Sequence, residues 1–169
     1  MKKNEILLYF DIMNEKLKER DVSAYVNVYG GAVMCLVFNS RDNTKDIDAI
    51  FEPESVLKEI AVDIANEHKL NKDWFNDEIK LFRPETTNNK LFKSWSNLRI
   101  YVPAPEYMFA LKCYSARFGK SKDLEDMIYL VKYLEIHKFS QAVGVIEKFF
   151  DLNQIRGEVR EFLLEELGN

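Results

Sequence analysis

Two aspartates one residue apart, Asp46 and Asp48 in "KDIDAIF", and two adjacent glycines, Gly30 and Gly31 in "YGGAVMCLVF", are the residues whose type and spacing suit chemistry best. On a strand, residues i and i+2 share a face, so both carboxylates project together while Ile47 and Ala49 project to the other side. Like charges held that close repel unless a proton or a cation compensates them, and a hard divalent ion such as Mg²⁺ takes carboxylate oxygens readily. The pair therefore reads as a metal-ligand motif. A calcium loop fits poorly, because counting from Asp46 the sixth position is Phe51, where glycine is wanted, and the twelfth is Leu57, where glutamate is wanted. A Gly-Gly turn between a strand and a helix lets the backbone approach a ligand closely, and amides at a helix start favour phosphate oxygens. Taken singly, an Asp-x-Asp is often a solvated strand end and a Gly-Gly often a tight turn. Together they are more specific.

Further along, "PEYMFALKCYSAR" is apolar almost all the way round a helix, which marks it as buried. Lys112 in its middle must run its stem to the surface or meet an anion in a cleft, where it would bind phosphate as a point charge. Asp123 and Asp126 share a helix face. Asp123 falls in the first turn after Ser121, a good N-cap, where a carboxylate favours the helix dipole. Asp126 is therefore the preferred acid to activate an acceptor or orient Lys112. Lys112, Arg117, Lys120 and Lys122 form a stretch without an acid, suited to an RNA backbone and equally to an ordinary solvated helix end. His68 and His137 show no Ser-His-Asp or Cys-His constellation and read as structural. Cys35 and Cys113 lie in apolar stretches without metal spacing and read as buried free thiols.

The elements that must position these residues follow from periodicity. Residues 3–19 carry apolar side chains at helical spacing, 24–28 read as a strand ending at the glycine turn, and "GAVMCLVFNS" as a short helix. "KDIDAIF" is a second strand and the segment from Pro53 to Leu70 a second long helix. Short strands are expected near 79–82 and 98–102, around the polar turn "ETTNNK", with Trp74 and Trp95 covering core or interface surface. From Pro105 onward the pattern is helical, over 105–118, 121–136, 140–150 and 159–167, with Gly119 marking the first break.

The chain of 169 residues is 47% hydrophobic, enough for a true core. Its formal net charge of −4 argues against nonspecific coating of nucleic acid while leaving room for a local basic cleft. No run approaches the roughly 20 apolar residues of a membrane span, and the charged start lacks a signal peptide's apolar segment, so a cytoplasmic protein without a membrane partner is expected.

The glycine turn, Arg41 and Thr44 before the Asp-x-Asp, and the downstream Lys112 and "KDLED" resemble the DNA polymerase beta-type nucleotidyltransferase superfamily, and within it bacterial proteins related to the abortive-infection type IV toxins. The resemblance covers roughly residues 25–135, with the middle loosely matched. It implies an α+β nucleotidyltransferase fold: a small mixed β-sheet flanked by helices in a core over residues 1–103, with a helical part over 104–169 closing the cleft. It implies Mg²⁺-dependent transfer of a nucleoside monophosphate from an NTP to an acceptor hydroxyl. A tRNA is the favoured acceptor, another RNA, a protein or a small molecule the alternatives, and an antitoxin protein a further partner. In that reading Asp46 and Asp48 hold Mg²⁺, and Gly30, Gly31, Arg41, Thr44 and Lys112 bind the nucleotide. Asp46, Asp48, Lys112 and Asp126 are the catalytic set. Many members of the superfamily add a third carboxylate from a later strand, and "NLRIYV" has none. A non-catalytic nucleotide- or partner-binding module on the same fold is the alternative.

Overall fold

The structure is a computed structural model that describes residues 1–119 and 122–169. The chain forms two compact units, Met1–Pro103 and Ala104–Asn169.

The first unit is α+β. Helix α1 (Lys3–Glu19) leads into strand β1 (Ala24–Tyr29), a short helix α2 (Gly30–Leu36), strand β2 (Ile47–Glu52) and helix α3 (Glu54–His68). Strands β3 (Phe75–Asn76), β4 (Lys90–Ser94) and β5 (Leu98–Val102) complete a mixed five-stranded sheet of order β3-β2-β1-β5-β4. β1 pairs antiparallel with β2 and parallel with β5. Alternation along the strands gives the sheet two unlike faces. Val26, Val28, Ile47, Ala49 and Ile100 are fully buried on one of them. Helices α1 and α3, which touch each other and the sheet, supply Phe10, Met13, Leu17, Leu57, Ile60 and Ile64 to the same core. Trp74 belongs there too, its indole donating to the Ala61 carbonyl at 2.9 Å. The opposite face carries Tyr25, Asn27 and Tyr29 on β1 beside Glu52, Ile50 and Asp48 on β2.

One expected strand is not formed. Residues 79–82 fall in a 3₁₀ turn, Glu78–Phe82, because only Ile79 finds a buried site, whereas Leu81 is 82% exposed and Lys80 is held by ion pairs to Glu54 and Asp77. A single apolar anchor fixes a turn; a strand would need a face.

The second unit is helical: α4 (Pro105–Ser115), α5 (Asp123–Tyr133), α6 (Phe139–Ile146) and α7 (Gly157–Leu167). α4 packs against α5 and α6, and α6 against α7. Pro105 at the start of α4 costs no hydrogen bond. α4 ends at Ser115, earlier than the sequence pattern suggested: Ala116 turns to φ −54°, ψ 137°, and the Arg117 amide donates to the Asp123 carboxylate at 3.0 Å. The break thus precedes Gly119. Ser121, expected as an N-cap, and Lys120 lie outside the described residues; Lys122 stands at the N-cap position of α5. Cys113 is buried against Met127, with 3.7 Å between the sulfurs, and burial pushes its thiol far above the ordinary range, so it is an inert structural thiol. Among the described residues no helix is long and apolar enough to cross a membrane.

Candidate functional site

The end of β1 and the start of β2 build a notch. Antiparallel register sets Tyr29 opposite Asp48, so the chain leaves β1 at Gly30 beside the Asp48 side chain. Gly30 has φ +67°, and a Cβ built on it would lie 2.7 Å from Asp48 Oδ2. The carboxylate therefore rests where any other residue would place a methylene. Gly31 plays the same part for the following loop: its Cβ would overlap Arg41 Nη1 and lie 2.8 Å from Thr44 Oγ1. Backbone here is bare because side chains from two directions press on it.

The loop from α2 to β2 is fixed by Thr44, which is buried. Its hydroxyl donates to the Asp46 carbonyl at 3.1 Å, its amide donates to the Met1 carbonyl at 2.9 Å, and its carbonyl accepts from the Met1 amino group at 2.6 Å. Asp46 immediately precedes β2 and Asp48 is its second residue, with Ile47 and Ala49 fully buried on the other side. Both aspartates are half-buried, and the Asp48 carboxylate lies against Gly30 on the notch side of the sheet. Gly30, Gly31, Arg41, Thr44, Asp46 and Asp48, widely spaced in sequence, thus gather around one turn.

The residues suit a small hard cation. Among the described residues no group of three or more His, Cys, Asp or Glu side chains is arranged to hold a metal ion. Mg²⁺ is commonly held by one or two carboxylates with substrate phosphates and water completing its shell, and Asp46 and Asp48 are the residues that could supply those carboxylates. A guanidinium and backbone amides are groups from which phosphate oxygens accept, and the Arg41 guanidinium lies against Gly31. α2 is only seven residues long, so local N–H groups carry any such binding, with little help from a macrodipole.

Lys112, Asp123 and Asp126 belong to the second unit and form a buried ion triad there. Lys112 Nζ stands 2.8 Å from Asp123 Oδ1 and 2.7 Å from Asp126 Oδ2, with the three side chains 7%, 9% and 3% exposed. The lysine is thus paired by both acids, where the sequence argument assigned only Asp126 to it and gave Asp123 to the helix dipole. Asp123 also accepts from the Arg117 amide, which closes the bend between α4 and α5. The Arg117 side chain is 80% exposed and Lys122 is exposed, as an ordinary solvated helix end would be. His68 and His137 are both exposed, His68 packing edge-on to Tyr9.

Sequence reasoning missed a polar cluster next to Asp48. Tyr29 is fully buried on the polar face, and its hydroxyl donates to the Glu85 carbonyl at 2.9 Å. Asn89 Nδ2 donates to that hydroxyl at 3.0 Å and to Asn27 Oδ1 at 2.9 Å. The segment 85–89 is thereby tied down over β1, beside the notch. Its signal was present as Tyr25, Asn27 and Tyr29 at every second position of "AYVNVY", a polar and aromatic stripe on a central strand.

Comparison with protein families, with curated proteins and with solved structures finds no match to this chain.

Proposed function

We propose that the protein is a Mg²⁺-dependent nucleotidyltransferase that moves a nucleoside monophosphate from an NTP to an acceptor hydroxyl on RNA, with tRNA the first acceptor to test. One observation carries the reading: the glycine turn and the acid-bearing strand meet at a single notch, with Gly30 accommodating Asp48 and Gly31 accommodating Arg41 and Thr44. In the reaction the acceptor hydroxyl loses its proton to solvent, its oxygen bonds to the α-phosphorus, the bond from that phosphorus to the bridging oxygen breaks, and pyrophosphate leaves. Asp46 and Asp48 would hold Mg²⁺, which would supply Lewis-acid neutralisation of phosphate charge. In this reading Arg41, whose guanidinium lies against Gly31, would grip phosphate oxygens through its planar fork, and the Gly30 and Gly31 amides would donate to others. Thr44 holds the loop that delivers Arg41 and Asp46 in register.

A second reading rests on the metal-ligand count. With two carboxylates at the notch, a nucleotide-binding module without transfer is the alternative. Incubating the protein with Mg²⁺, each α-labelled NTP in turn and total RNA separates the two. Wild type is expected to label RNA, and Asp48→Asn to lose transfer by at least about a thousandfold while keeping its melting temperature within a few degrees. Label transferred equally by a folded Asp48→Asn protein would sink the transferase. An NTP-dependent rise in melting temperature without any transfer would favour the binding module.

A further inference from the structure

On the polar face of the sheet, Tyr29 is fully buried, whereas Tyr25, four residues back on the same stripe, is 52% exposed. Segment 85–89 makes the difference. The Tyr29 hydroxyl donates to the Glu85 carbonyl at 2.9 Å, and Asn89 Nδ2 donates to that hydroxyl at 3.0 Å and to Asn27 Oδ1 at 2.9 Å. These ties to β1 all run through the Tyr29, Asn27 and Asn89 side chains. An internal backbone bond, from the Asn89 amide to the Thr86 carbonyl at 3.1 Å, gives the segment its own shape. Glu85, Thr86, Thr87 and Asn88 are exposed, and Asn89 is half-buried.

A segment held in this way is stable enough to form and cheap to release. Each hydrogen bond to the Tyr29 hydroxyl is replaced by one to water on opening, so its net contribution is small, and lifting the segment leaves the β1–β2 ladder intact. What it covers is the candidate site. Tyr29 pairs directly with Asp48, and directly paired side chains stand about 5 Å apart on one face. Gly30, against which the Asp48 carboxylate lies, is the next residue in the chain.

We propose that segment 85–89 is a strap that closes the approach to Asp48 along the sheet face and opens as a unit, with the Tyr29 hydroxyl as its latch. The inference concerns access to one carboxylate and does not rest on the transferase reading.

Two measurements on the full chain test it, and neither needs a nucleotide. In hydrogen exchange followed by NMR, the Asn89 amide reports the strap and the amides of the β1–β2 ladder report the sheet. Asn89 is expected to exchange at least about a hundredfold faster than the ladder, at a rate that low urea leaves unchanged. Tyr29→Phe removes two of the three ties and should speed Asn89 by about ten- to a hundredfold. Asn89→Ala removes the other half of the latch and should shift the same amide in the same direction. The second measurement is alkylation by iodoacetamide. Asp48→Cys places a thiol beside the strap and Tyr25→Cys one at the open end of the face, while the buried Cys35 and Cys113 react only on unfolding and so mark it. Asp48→Cys should react at least about tenfold more slowly than Tyr25→Cys, and adding Tyr29→Phe should speed the first by about tenfold and leave the second unchanged.

An Asn89 amide that exchanges only together with the ladder, with the same urea dependence, would overturn the strap. So would an Asp48→Cys thiol as reactive as Tyr25→Cys, or one indifferent to both Tyr29→Phe and Asn89→Ala while Cys35 and Cys113 stay unmodified. The strap and the transferase fail separately, because exchange and alkylation are read without transfer and RNA labelling is read without either.

Discussion

Gly30→Ala is the substitution that reads the notch most directly. At φ +67° an alanine pays about 1–2 kcal/mol for left-handed backbone. Its Cβ would also stand 2.7 Å from Asp48 Oδ2, closer than real contacts allow, whereas Asp48 Cγ at 3.6 Å and Cβ at 3.7 Å are ordinary neighbours. The carboxylate must therefore rotate off its rotamer, at about 0.5–1.5 kcal/mol. The expected loss is about 2–3 kcal/mol, read by urea unfolding followed through tryptophan fluorescence, since Trp74 and Trp95 both lie in the unit that holds Gly30. For a chain of this size, each kcal/mol corresponds to about 2–4 °C in melting temperature. A double-mutant cycle separates the two contributions: in an Asp48→Ala background only the backbone cost remains, so Gly30→Ala should cost about 1 kcal/mol less there. Equal costs in the two backgrounds would refute the contact, and a loss under about 0.5 kcal/mol in wild type would refute the backbone argument as well.

Two further outcomes follow from the ion pairs. Lys112→Met should destabilise by about 3–5 kcal/mol, because it leaves Asp123 and Asp126 facing each other in a buried site, and adding Asp126→Asn should restore part of that loss; an additive pair of effects in urea titrations would contradict the triad. On the surface, burial pushes the Asp77 carboxyl up, but hydrogen bonds from Lys80 and Lys58 outweigh it and hold the group below the usual carboxylate range. A depressed acid contributes its full stability above about pH 3.9, its unfolded value, and loses it as pH falls through the folded value. Lys58→Met should therefore cost less than about 1 kcal/mol at pH 7, with the gap to wild type closing as melting is followed below pH 3.9. A gap independent of pH would disprove the assignment.

How far the sequence could be read depended on whether the decisive contacts were local. α1, α3, β1 and β2 follow from apolar spacing because each buries one regular face, and that is enough for an α+β unit with a helical unit after it. β4, which follows the expected turn, went unmarked because "KLFKS" is an edge strand with little burial, so no alternation of apolar residues signals it. Residues 79–82 erred in the opposite direction, since an alternating "IKLF" can be produced by one buried isoleucine and a salt-bridged lysine. At the site, the i, i+2 rule assigned Asp46 and Asp48 to one face, β2 includes only Asp48 of the two, and the glycines announced a close approach. What pressed on them was illegible. Arg41 meets Gly31, and Asp48 meets Gly30, only through the loop and the strand register. Asp123 shows the limit of a local argument: its position early in α5 accounts for a dipole, whereas its burial is explained by Lys112, eleven residues away on another helix.

The two faces of the sheet explain why the chemistry collects where it does. Burial on the apolar face fixes register, because a slip by one residue would turn Ile47 and Ala49 outward and Asp46 and Asp48 into the core. Stability on one side thus enforces position on the other, and the polar residues need contribute little to holding the fold. Tyr29 is the exception that shows where the polar face is closed: its ring is buried only because Asn89 and Glu85 lie over it. Tyr25, four residues back on the same stripe, has no such cover and is half in solvent. The same stripe thus uses one tyrosine to anchor a loop beside Asp48 and leaves the other in solvent, a difference set by which end of the strand segment 85–89 covers.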